Sequence, residues 1–194
     1  RWNEYGNPRR SEPLYILFSS DHGEMLGDHH LFRKSLAYEA SSHVPFFISG
    51  QNVDLIPGRS DRLCSWEDVL PTVAEMAGID LPGPTDGESL LDSTHGKENP
   101  GREVLFGMCH GQHTNYYLVK GPHKYIWFPS TGEEQVFNVL EDPHELQDLS
   151  ADTALLEPLR TAMSQQMEWA KEPIYDPAEL TPCQNRLPRV LVPV

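Results

Sequence analysis

Cysteine is scarce in this chain of 194 residues: three thiols, Cys64, Cys109 and Cys183, with no C-x-x-C pair. An odd and scattered set builds neither a disulfide framework nor a zinc knuckle. No Asn is followed two places later by Ser or Thr, so an N-glycosylation acceptor is missing as well. Both absences lean towards a bacterial rather than a secreted eukaryotic source, and leave periplasmic, extracellular and cytoplasmic locations open. Basic residues are few, with 15 Lys and Arg against 29 Asp and Glu and a net charge of -14. That balance excludes a nucleic-acid-binding surface, which needs clustered cations. No apolar run approaches the ~18 residues of a membrane span. The opening Arg1-Trp2-Asn3-Glu4 carries no hydrophobic leader, and the chain reads as beginning in the middle of something longer. What is present is enough apolar material, 38% of residues with every large aromatic, to bury a core in one or two domains.

Leu14 to Phe18 and Val44 to Ile48 are short unbroken apolar runs, the pattern of strands buried on both faces in a helix-covered parallel sheet. Lys34 to Ser42 leaves room for a short helix or an ordered loop. Ser65 to Gly78 is the clearest helix. A start at Asp68 puts Pro71 in the first turn, where its missing N–H does no harm, and Gly78 supplies the stop. Residues 81 to 101 are rich in Pro, Gly, Asp and Ser and read as a linker. Beyond it come four closely spaced strand candidates, Glu103–Met108, Tyr116–Lys120, Lys124–Phe128 and Glu134–Val139, with turn signals at Gly111, Gly121-Pro122 and Thr131-Gly132. That spacing predicts an antiparallel sheet. A last helix carries Leu156, Leu159, Met163, Met167 and Ala170 on one face, and the tail from Pro173 has no periodicity. Three regions follow: 1–98, 99–172 and 173–194.

Ser20-Asp21-His22-Gly23-Glu24 directly follows the first apolar run. In open α/β sheets ligands bind beyond the carboxyl ends of strands, so a carboxylate and an imidazole there are placed for chemistry. Gly23 frees the backbone to aim them. Lys34 can return to the same mouth as a fixed cation for an anionic substrate. Taken alone, a strand-end Asp-His-Gly is more often a capped turn than a metal site.

The wider sequence changes that weighting. Residues 20 to 34, SDHGEMLGDHHLFRK, resemble the second signature block of the sulfatase family. In matching order follow Val44-Pro45-Phe46-Phe47-Ile48, then Asp68-Val69-Leu70-Pro71-Thr72 through Ala77-Gly78-Ile79, and Asp86-Gly87-Glu88-Ser89-Leu90-Leu91. Last come Lys124-Tyr125-Ile126 and Gln135 through Leu146. The resemblance implies an α/β fold. Residues 1–98 would be the C-terminal part of an alkaline-phosphatase-like, mostly parallel sheet layer, and a small antiparallel sheet with a packed C-terminal helix would follow. It implies a metal-dependent sulfuric ester hydrolase, with a sulfate ester as substrate. Asp21 and His22 would be ligands of a divalent cation, most often calcium in this family, with manganese or zinc better suited to an imidazole. Lys34 would be both the catalytic and the substrate-binding residue, contacting sulfate and offsetting charge on the leaving oxygen. His43 stands where relatives often carry Arg and His30 where they often carry Gly, and neither is given a role. His110 and His113 beside Cys109 read as surface or cleft residues, and Glu24 and Asp28 as structural.

The family's nucleophile, a Cys or Ser in C/S-x-P-x-R that matures to formylglycine, has no match among residues 1–194, and neither does its metal-binding Asp pair. The formylglycine is therefore expected in a preceding N-terminal part, and this chain alone is expected to be inactive. Sheet faces left open by such a truncation would favour self-association. Two alternatives stand beside the sulfatase reading. One is a phosphodiesterase or phosphonate monoester hydrolase of the same superfamily, and the other a non-catalytic module for folding or interaction.

Overall fold

The structure is a computed structural model. It describes residues 12–34, 36–96, 99–109 and 114–170, with the backbone of 175–176 and 181–182. His110, His113 and Cys183 lie outside the described residues, as does nearly all of the tail from Pro173. By contacts the chain falls into two compact units: residues 1–21 with 44–102, and residues 22–43 with 103–194.

In the first unit, β1 (Leu14–Ser19) pairs with β2 (Phe46–Gln51). The pair is antiparallel, with Phe18 opposite Phe47 and their rings stacked at 4.9 Å. The α/β class holds, yet among the described strands this unit has no parallel pairing. Residues 22–43, which would have to form a crossover helix lying on this pair, pack instead with the second unit, and their described residues hold a 3-10 turn at Asp28–His30 and the four-residue helix α1 (Glu39–Ser42). Nor is β1 covered on both faces, since Leu14, Ile16 and Phe18 are about half exposed at 50%, 51% and 50%.

The helical run in this unit begins earlier than the proline suggested. Ser65 caps a 3-10 turn over Trp66–Asp68, accepting from the Glu67 amide, and α2 (Val69–Ala77) follows to stop at Gly78, whose φ of 65° is left-handed. Pro71 still falls in the first turn of α2, where no backbone donor is missed. The Asp68 side chain does not cap α2. It turns back to accept from the Ser65 amide at 2.8 Å, from the Glu88 amide at 2.8 Å, and from Arg102. Within the expected linker, Leu91–Thr94 forms a short helix, α3.

The second unit is built on an antiparallel meander of β3 (Val104–Cys109), β4 (Asn115–Lys120), β5 (His123–Phe128) and β6 (Glu133–Asn138). Gly121, with φ 58°, and Pro122 close the β4–β5 hairpin, matching the turn signal. Alternation along the strands makes two apolar faces. Tyr116, Leu118, Tyr125, Trp127 and Val136 pack on α4 (Thr153–Trp169) through Leu156, Leu159, Ala162, Met163 and Met167. Asp152 caps α4 by accepting from the Ala154 and Leu155 amides at 3.0 and 3.3 Å. The opposite face, with Ile126 and Phe137, is covered by Met25, Ala37 and Tyr38. Each large side chain so buried contributes about 1.5–3 kcal/mol. Segment 22–43 is therefore half of a core, although the sequence placed it in the first region.

Candidate functional site

Asp21 stands two residues beyond the end of β1 at Ser19. The carbonyl of Ser20 accepts a 2.8 Å hydrogen bond from the Trp66 indole, which fixes the chain just before the aspartate, and the Asp21 side chain is exposed. Asp21 ends a stretch of the first unit and His22 opens a stretch of the second.

His22 is half-buried, and its Nδ1 lies 2.7 Å from the carbonyl oxygen of Gly23. A carbonyl only accepts, so Nδ1 carries the proton and Nε2 holds the ring's lone pair. Histidine ligands of metals are commonly oriented this way, with the second nitrogen donating to a backbone carbonyl. Gly23 earns its place through space rather than through a left-handed turn: a Cβ there would collide with the backbone carbonyl of Ala40. The close approach lets the Gly23 amide donate to Ser41 O at 2.8 Å and the Glu24 amide to Ala40 O at 2.9 Å.

From there the chain makes a tight loop. Met25 N donates to Arg33 O at 3.0 Å and Gly27 N to Leu31 O at 2.8 Å, while the Glu24 carboxylate accepts from the Arg33 amide. Leu26, His29, His30 and Arg33 all have positive φ. Non-glycine residues hold that conformation only where the surroundings over-determine it. His30, with φ 60°, occupies a conformation that glycine takes without cost. Buried Met25 anchors the loop, His29 stacks on Tyr38 at 4.0 Å, and a ring nitrogen of His29 donates to the carbonyl of His144 at 3.0 Å. Lys34 leaves this loop exposed to solvent. A carboxylate oxygen of Asp28 lies 3.9 Å from a ring nitrogen of His144.

Under the loop lies a charged cluster that the sequence reading did not single out. Lys124, fully buried in β5, donates to Glu39 and to the Ser42 hydroxyl, each at 2.8 Å, and its ammonium is 3.4 Å from Glu145. Glu145, itself buried, accepts from the Glu39 amide at 2.6 Å. His43 approaches the outer oxygen of Glu39 at 2.6 Å. Burial alone would raise the Glu39 carboxyl, but the bonds from His43 and Lys124 outweigh it and hold the group down at about 2. Glu145 shifts the other way, because burial exceeds the help it gets from the more distant Lys124. The lysine charge thus belongs chiefly to Glu39. One signal for this cluster was in plain view: Lys124 and Glu145 stand inside the sulfatase-like blocks, and Glu39 lies just ahead of another.

Among the described residues, no three His, Cys, Asp or Glu side chains come together as a metal-holding group. Asp21 and His22 offer two oxygen and nitrogen donors, and the ring orientation of His22 fits a ligand. The thiols of Cys64 and Cys109 are raised by burial, which argues against thiolate chemistry at either.

Comparison with known proteins places this geometry in context. Residues 27–173 match the model of the N-sulphoglucosamine sulphohydrolase C-terminal family, a stretch that includes Lys34 and the buried cluster and begins after Asp21 and His22. The chain is 37% identical over 152 residues to an arylsulfatase of Clostridium perfringens, covering 76% of this chain and 31% of that protein. To a choline-sulfatase of Rhizobium meliloti it is 34% identical over 146 residues, covering 73% and 28%. It spans about a third of the length of these relatives. Among solved structures, a 2-O GAG sulfatase superposes with a TM-score of 0.73 at 20% identity, covering 81% of this chain and 37% of that one. The phosphonate monoester hydrolase of Agrobacterium radiobacter does so with a TM-score of 0.66 at 23% identity, covering 81% and 35%. These two likenesses are of fold. With the family model matching more than half of its length, the chain belongs to the sulfatase family and corresponds to that family's C-terminal portion.

Proposed function

We propose that this chain is the C-terminal part of a metal-dependent sulfuric ester hydrolase. In this reading it supplies Lys34 to the substrate sulfate and Asp21 and His22 to a divalent cation. The cation is calcium in the first instance, with manganese or zinc as the alternatives, and the formylglycine nucleophile comes from outside residues 1–194. The observation that carries the reading is the His22 ring, set by the Gly23 carbonyl with Nε2 as its donor nitrogen, on a strained loop that ends at Lys34. A bound cation would supply a positive counter-charge for sulfuryl oxygens. The chain's own contribution is an ammonium and a pre-oriented imidazole. Sulfate transfer builds negative charge on the sulfuryl and departing oxygens, and a fixed cation such as Lys34 stabilises that charge without reorganisation. A phosphonate monoester hydrolase shares the fold. Sequence identity of 37% and 34% to named sulfatases favours the sulfate ester over the phosphonate.

The test uses the intact enzyme. Lys34→Ala is expected to lower turnover of an aryl sulfate by about 10²-fold with metal content unchanged. Asp21→Ala is expected to lower metal content and activity together. Unaltered turnover in Lys34→Ala refutes the assignment.

A further inference from the structure

Lys124 sits where a lysine has no reason to be on grounds of propensity: the centre of a sheet, at 0% exposure, with its face otherwise occupied by Ile126 and Phe137. A buried ammonium is tolerated only with partners that replace its water. Its partners are not on neighbouring strands. Glu39 and Ser42 both belong to α1, and Glu145 lies in the turn after β6. The Ser42 hydroxyl, while accepting from Lys124, donates within its own segment to the carbonyl of Ala37 at 2.9 Å or of Tyr38 at 3.1 Å. The backbone of α1 in turn holds Gly23 and Glu24 through Ala40 and Ser41. At the far side, His144, next to Glu145, accepts from His29. Bonds therefore lead from one buried ammonium, through α1 and the turn after β6, to the start of the loop at Gly23 and Glu24 and to its middle at His29.

We infer that Lys124 is a positioning residue: held between Glu39 and Glu145, it clamps α1 and the 142–146 turn so that the strained 22–34 loop keeps its shape. The inference rests on the proposed roles of His22 and Lys34 for its catalytic meaning, but its geometry does not depend on them. Withdrawing the ammonium leaves two carboxylates sharing a dry site, which like charges resist. The groups facing that site are Glu39 from α1 and His43 just after it, Glu145 from the turn, the Tyr117 ring 5.6 Å from the ammonium, Tyr38, and Cys109, whose thiol feels the lysine charge. The clamp without its lysine is thus expected to open at neutral pH and to recover when a carboxylate takes up a proton.

The experiment is amide hydrogen exchange on the 194-residue chain and its Lys124→Met variant, at pH 7 and at pH 5, as protection factors. The reporters are the bonded amides of Gly23, Glu24, Met25 and Gly27, and the amides of α4 serve as reference. In Lys124→Met at pH 7 the reporters are expected to lose about tenfold or more in protection, the scale of a charged hydrogen bond, while α4 keeps its own. At pH 5 the loss is expected to shrink. Uniform loss across α4 and the loop, or loop loss that ignores pH, overturns the inference by showing Lys124 to be general scaffolding. Should Lys124→Met fail to fold, Ser42→Ala removes one bond of the same clamp and is expected to loosen the reporters a few-fold with α4 unchanged; unchanged reporters overturn the inference equally. Lys34→Ala turnover, measured separately on the intact enzyme, decides the catalytic reading, so either can fail alone.

Discussion

The ammonium of Lys124 donates to the carboxylate of Glu39 across 2.8 Å, joining the start of β5 to a helix 85 residues earlier. The pair is held at low exposure, 0% for the lysine side chain and 19% for the glutamate. Ion pairs with so little water around them differ in kind from surface pairs. Breaking one by removal of a single partner leaves an uncompensated charge and costs about 3–5 kcal/mol.

That pair has a pH signature. The Glu39 carboxyl is lowered from its ordinary 4.5 to about 2, so its stabilising contribution is complete above the ordinary value and is lost as pH falls towards 2. Glu39→Gln is expected to lower the free energy of unfolding at neutral pH by an amount on the order of 3 kcal/mol. The gap between wild type and variant should close as pH falls below the ordinary carboxylate range. A gap that widens in acid would show that the paired carboxylate is not the source.

Gly23 offers a steric test with little electrostatic content. Because a Cβ there meets the Ala40 carbonyl, Gly23→Ala is expected to cost about 1–3 kcal/mol in chemical denaturation. Gly83, where a Cβ meets nothing within 4 Å, is the matched control, with an expected change within about 0.5 kcal/mol. Equal effects at both sites would remove the close approach from the account of the loop.

In the first unit, Asp68 is 1% exposed and accepts from the Ser65 and Glu88 amides and from Arg102. Asp68→Ala orphans two amides and leaves the sheltered Arg102 guanidinium with only Ser65 and Glu67, and is expected to cost about 3–5 kcal/mol. Arg102→Ala alone should cost less, because the backbone bonds to Asp68 survive it. Urea unfolding of both variants checks the order.

Residues 1–194 contain no C/S-x-P-x-R. The purified chain is therefore expected to hydrolyse a chromogenic aryl sulfate no faster than background. Clear turnover that Lys34→Ala abolishes would contradict both this expectation and the proposed source of the nucleophile.

Local sequence was sufficient wherever the deciding interactions are local. The turn at Gly121-Pro122, the stop at Gly78, and the stripe of Leu156, Leu159, Met163 and Met167 each follow from backbone freedom or from a 3.6-residue period. The meander and its covering helix were therefore readable, and the sulfatase-like blocks identified the family. Tertiary structure alone decided three other matters. The apolar run of β1 has the composition of a doubly buried strand, but exposure depends on what lies against it, and Leu14, Ile16 and Phe18 stay half open. Residues 22–43 lie in sequence between β1 and β2, yet Met25, Ala37 and Tyr38 find their apolar partners on the sheet of the second unit. In sequence Lys124 is marked only as part of a sulfatase-like block, and nothing beside it in its strand signals burial. Its burial becomes affordable only when carboxylates from two distant segments replace its water, and no period along the chain encodes that meeting.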